Sequence, residues 1–94
     1  SQRSPSLRLK SLVLLGRCFM EKRLFDLALE QLQHAVEGIN VMDDFKKEVL
    51  YLLAECYGKL ERPEEAIEQF KAIYSNDIGY RDVAEKIDAF YRNP

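Results

Sequence analysis

Two stretches of the chain carry the same side-chain types at the same spacing. Leu12, Leu15, Gly16 and Phe19, followed by Ala28 and Leu32, are matched by Leu50, Leu53, Ala54 and Tyr57, followed by Ala66 and Phe70. The offset is 38 residues, and a partial third copy, Ala84, Ile87, Asp88 and Tyr91, stands 34 residues beyond the second. Units of this size cannot bury their apolar faces alone and must stack on one another, which restricts the chain to a solenoid-like arrangement. Within each copy the residues fall at i, i+3, i+4 and i+7, one face of a helix. Glycine in mid-helix costs about 1 kcal/mol relative to alanine. Gly16 and its counterpart Ala54 therefore imply that a second helix approaches closely there. Ala28 and Ala66 are the expected facing residues, with the axes near the lower end of the usual ~8–10 Å spacing.

Start and stop signals divide the chain into five helices. Ser4 offers an N-cap before Pro5, so the first helix is expected over Pro5 to Glu21. The second is expected from Leu24 to Glu37, with Gly38 as its stop. Asp43 or Asp44 caps a third that runs to Lys59. Pro63 opens a fourth, ending near Tyr74, with Glu64 and Glu65 favourably placed in its first turn. Ser75 to Gly79 is a turn cluster, and a fifth helix follows from Tyr80 to Tyr91. The four extra residues in the first interval are expected to lengthen the connection from Gly38 to Asp44. In the fifth helix Asp88 holds the slot of Gly16 and Ala54, so no helix can pack closely over it. With Arg81, Asp82, Glu85, Lys86 and Arg92 as a polar outer face, it reads as a cap. The first helix is apolar nearly all round, from Leu12 to Leu15 with Phe19 and Met20, and burial on more than one side is expected.

These residues resemble the tetratricopeptide repeat, whose pattern has a large residue, Leu-Gly, Tyr, then Ala-x3-Phe and a late proline on a 34-residue period. The resemblance covers roughly residues 7–92: repeat one over about 7–40, repeat two over about 43–77 and a capping helix over about 80–92, all in a single domain spanning 1–94. Leucine replaces the tryptophan at Leu12 and Leu50, Asn40 and Ile78 stand near the place of the late proline, and no glycine marks the turns at Lys22-Arg23 and Glu61-Arg62. The resemblance implies an all-α, right-handed αα-hairpin solenoid of two repeats plus a C-terminal capping helix. It also implies a non-enzymatic scaffold that binds a peptide or partner helix in a concave groove lined by the first helix of each repeat. Transferred onto this sequence, the groove comprises Lys10, Val13, Arg17 and Met20 from repeat one, Glu48, Tyr51, Glu55 and Lys59 from repeat two, and Asp82 and Glu85 from the cap. The chaperone-binding branch grips a peptide carboxylate with lysines and asparagines. Val13, Arg17 and Glu55 do not match that set and Asp82 has the wrong sign, so a chaperone-tail clamp is not expected. Arg17, Tyr51 and Glu55 would instead offer a cation, an aromatic surface and an anion to a peptide of mixed charge.

Chemistry of other kinds finds little footing. The net charge of −2 argues against a general affinity for nucleic acid, although the charge is uneven. Arg3, Arg8, Lys10, Arg17, Lys22 and Arg23 against Glu21 alone give residues 1–23 a sum of +5, which leaves −7 on the rest. This basic end reads either as a solvated surface or as a contact for an acidic neighbour. Cys18 and Cys56 are too few for a disulfide framework, lack Cys-x-x-Cys spacing and have only His34 for company, so no metal or cofactor site is expected. Both cysteines follow the small residue by two positions and are expected to pack between helices without bridging, and His34 is expected to be exposed. The pairs Asp43-Asp44 and Glu64-Glu65 read as helix-start charges. No phosphate loop or nucleophile motif is present. The apolar run Leu12–Leu15 is far short of the ~20 residues that span a bilayer. No targeting signal is visible, which leaves a cytoplasmic location as the expectation, and the start at Ser1 without an initiator methionine leads to the expectation of a piece of a longer protein. The competing expectation for function is structural: the end segment of a longer solenoid, or an oligomerisation module that self-associates through the first helix.

Overall fold

The computed structural model describes residues 5–93, which form five α-helices and no strand. They are α1 (Pro5–Glu21), α2 (Phe25–Glu37), α3 (Asp44–Lys59), α4 (Pro63–Asn76) and α5 (Val83–Arg92). Each helix packs chiefly on the next in sequence, α1 on α2, α2 on α3, α3 on α4 and α4 on α5. The result is an elongated stack of helical hairpins with extents of 51 × 28 × 17 Å, the all-α solenoid that the repeat requires. The core is centred on α3, where Val49 to Ala54, Cys56 and Tyr57 are all buried between the neighbouring helices.

The local signals act much as their chemistry dictates. The Asp43 side chain accepts a 2.9 Å hydrogen bond from the Lys46 amide and so caps α3. Pro63 opens α4, where Arg62 and Glu65 form a two-pronged ion pair at 2.7 and 2.6 Å. The expected cap at Ser4 lies outside the described residues. Gly38 follows α2 with φ −90°, so it needs no left-handed freedom; a Cβ there would lie 2.7 Å from Leu9 Cδ2, so the tip of the Leu9 side chain on α1 would have to shift to admit one. The glycine-free turns do require left-handed backbone. Arg23 and Glu61 adopt φ 61° and 59°, a conformation that costs an L-residue about 1–2 kcal/mol.

Several expectations are corrected. Gly16 faces Leu32 rather than Ala28: a Cβ on Gly16 would sit 2.9 Å from both Cγ and Cδ2 of Leu32. The hairpin is thus shifted by one turn from the register in which small faces small. The extra residues between the first two copies do not lengthen the connection. Residues 38–43 and 77–82 are linkers of equal length, and the difference lies in the first turns of α3, which precede Leu50, while α5 begins only at Val83, just before Ala84. The fifth helix starts there instead of at Tyr80 because Arg81 is left-handed, with φ 40°. Lastly, α1 is covered on one side only. Val13 and Gly16 are buried, but Leu14 and Leu15 are 63% and 43% exposed. Cys18 is likewise exposed where Cys56 is buried, so packing between helices holds for the second cysteine alone; both are free thiols.

Candidate functional site

A hollow of about 600 Å³ opens where the ends of several helices converge. Its apolar lining comes from Met20 at the end of α1, Phe25 at the start of α2, Ala54 on α3, and Ala66 and Phe70 on α4. Gly58 of α3 opens it further, since a Cβ added there would meet nothing within 4 Å. The polar rim is Arg23, Lys59 and Lys86 against one carboxylate, Glu55. Arg23 is held by the left-handed turn between α1 and α2, with its guanidinium 5.4 Å from the centre of the Phe25 ring. Lys59, Lys86 and Glu55 make no hydrogen bond or ion pair with a described residue, and their charges are available to a ligand. A second hollow of about 280 Å³ shares Gly58, Ala66, Phe70 and Lys86 with the first and adds Pro63, Ile67, Ala89 and Phe90. The two adjoin as one trough, with an apolar far end and Lys86 common to both.

Of the groove residues expected from the sequence, Met20, Glu55 and Lys59 line this trough together. Lys10 and Glu85 are exposed outside it, and Val13 is buried at 5% exposure, which removes it from any binding surface. Arg17 and Glu48 are spent on each other, forming an ion pair that ties α1 to α3. Tyr51 is the main correction. It was expected to project an aromatic surface, yet it is only 7% exposed. Its ring packs edge-on against Phe70 at 5.4 Å and near Tyr80 at 6.3 Å, and Arg81 lies over it at 4.8 Å. Its hydroxyl donates a 2.5 Å hydrogen bond to Asp82. Burial first, and the Asp82 carboxylate second, push its pKa up to about 12. Tyr51 and Asp82 are a structural clasp between α3 and the corner before α5, because that corner folds back over α3. Among the trough residues that the expected groove did not include, Arg23, Phe25 and Phe70 come from a turn and from second helices, and Lys86 had been assigned to the outer face of the cap.

Residues 47–77 match the family model of the tetratricopeptide repeat. Over that third of the chain the sequence is similar to a tetratricopeptide repeat. The match spans most of α3 and all of α4, the best-buried hairpin in the molecule. No curated protein and no solved structure gave a significant match to the chain. The tetratricopeptide repeat is a non-catalytic protein-interaction unit. Among the described residues no three His, Cys, Asp or Glu side chains come together as a metal-binding group, and no helix is long and apolar enough to cross a membrane.

Proposed function

We propose that the chain is a protein-interaction scaffold that takes a peptide or partner helix into the trough around Gly58. One observation carries this reading: an open apolar floor of Met20, Phe25 and Phe70 lies beneath Lys59, Lys86 and Glu55, which have no ion-pair partner among the described residues. Apolar anchors set in a pocket with a polar rim supply most of the affinity of such interfaces. With Arg23, Lys59 and Lys86 facing Glu55 alone, the rim favours a ligand whose apolar anchor is flanked by carboxylates. This replaces the mixed-charge peptide expected from Arg17 and Tyr51, since Arg17 is paired with Glu48 and Tyr51 is buried and bonded to Asp82.

Panning a displayed library of random peptides on the chain tests the proposal. Enriched peptides are expected to combine a Leu, Phe or Tyr with neighbouring Asp or Glu. They are expected to bind Lys59→Glu/Lys86→Glu at least about tenfold more weakly, as loss of anchoring charges implies. Both lysines are exposed and form no ion pair with a described residue, so the variant keeps the fold. Peptides that bind the charge-reversed variant as tightly as the parent would place the working surface elsewhere.

A further inference from the structure

The repeat allows α1 and α3 to be compared position by position. In α3, Val49, Leu52, Leu53 and Cys56 are between 0% and 7% exposed. Their counterparts 38 residues earlier, Ser11, Leu14, Leu15 and Cys18, are all exposed. The cause is topological. Helix α3 is packed on one side by α4 and on the other by α2, whereas α1 has α2 in the place of α4 and no described helix in the place of α2. The α2–α3 interface is a built one: Gln33 of α2 donates to the Tyr57 hydroxyl at 2.8 Å, and Lys46 of α3 donates to the Ile39 carbonyl just beyond α2 at 3.2 Å.

We propose that the Ser11–Leu14–Leu15–Cys18 face of α1 is a second interface, which receives an acidic amphipathic helix from a partner protein in the way that α3 receives α2. Two observations define this occupant. The first is continuity: the same register one repeat later already holds a helix with an apolar stripe. The second is charge. Helix α2 carries Asp26, Glu30 and Glu37 and no lysine or arginine. Helix α1 and the turn after it carry Arg8, Lys10, Arg17 and Lys22 against Glu21, apart from Arg23 on the trough rim. Among the described residues Arg17 alone of these has an ion-pair partner; Arg8, Lys10 and Lys22 have none. A second copy offering the same face would set these cations against one another, whereas an acidic helix neutralises them. This surface is separate from the trough around Gly58 and stands independently of that proposal.

The test is an NMR titration of the full chain with a helix-stapled peptide of residues 24–40, the acidic helix whose seat on α3 is known. Amide shifts are expected at Ser11, Leu14, Leu15 and Cys18. Affinity is expected to fall at least about tenfold with the Leu14→Glu chain, and as much with a peptide in which Asp26, Glu30 and Glu37 are changed to lysine. It is expected to weaken as salt is raised, and to be unaffected by Lys59→Glu/Lys86→Glu. Three results would overturn the proposal: no shifts on α1 at millimolar peptide, equal binding of the charge-reversed peptide, or a dimer of the chain alone that Leu14→Glu dissolves. The last would assign the face to a second copy.

Discussion

Replacing Gly16 with alanine isolates the contact on which the first hairpin depends. Two terms oppose each other. Alanine in mid-helix is favoured over glycine by about 1 kcal/mol. Against that, the new methyl carbon would stand 2.9 Å from Cγ and Cδ2 of Leu32, where carbon atoms prefer about 3.5–4.0 Å. Leu32 is fully buried and cannot swing into water. Overpacking of this kind costs about 1–3 kcal/mol, so Gly16→Ala is expected to destabilise the chain by up to about 2 kcal/mol. The second arm removes the obstacle. Leu32→Ala alone is expected to cost about 2–5 kcal/mol. In that background Gly16→Ala has room, and its helix-forming advantage of about 1 kcal/mol emerges as a gain. Urea denaturation of the four chains at low temperature then yields a coupling energy of about 1–3 kcal/mol. Gly58→Ala is the control: with nothing within 4 Å of its Cβ, it is expected to be neutral or stabilising. If Gly16→Ala stabilises equally in both backgrounds, α1 and α2 do not meet at this register and the argument fails.

The other predictions concern a turn, a clasp and a thiol. Glu61 is exposed and left-handed at φ 59°, so Glu61→Gly is expected to raise stability by about 0.5–1 kcal/mol once glycine's own entropic cost is subtracted; an unchanged or lowered melting temperature would refute this. Tyr51→Phe is expected to cost about 1 kcal/mol at neutral pH through loss of the bond to Asp82. Since folding raises the Tyr51 pKa to about 12 from its ordinary value of 10.0, its contribution is complete below pH 10 and is lost as pH rises toward 12. The stability gap between parent and Tyr51→Phe should therefore close over that window, and absorbance titration of the parent should show one late-ionising phenol that the variant lacks. Cys18 is exposed, while burial holds the Cys56 thiol up at about 11, so a thiol reagent is expected to label the native chain once, at Cys18, and the urea-unfolded chain twice. Prompt labelling of Cys56 in the native chain would mean that α2 does not cover α3.

The helices were legible because their signals are local. Pro5, Gly38, Asp43 and Pro63 mark ends that depend on only a few neighbouring residues, and the i, i+3, i+4, i+7 spacing marks the faces between them. The start of α5 was not legible for the converse reason. Nothing in Tyr80-Arg81-Asp82 forbids a helix, but Asp82 accepts a bond from Tyr51 and Arg81 stacks over Tyr51 and Tyr80. These contacts come from a residue about thirty positions away, and they accompany the left-handed turn at Arg81. Tyr51 itself was correctly placed off the face of Leu50, Leu53, Ala54 and Tyr57, yet α3 is packed on more than one side, and leaving one apolar face did not mean reaching water. The trough was half legible. Met20, Glu55 and Lys59 lie on first helices, where the resemblance directs attention; Arg23, Phe25, Phe70 and Lys86 join them only because the helix ends converge in space, which no single helical wheel displays. Leu14 and Leu52 state the general point. They are the same residue at the same position of the repeat, and one is exposed while the other is buried. A repeat determines which side of a helix seeks a partner. Whether a partner stands there depends on the helix's place in the stack, so an open copy of a closed interface shows where the next helix would dock.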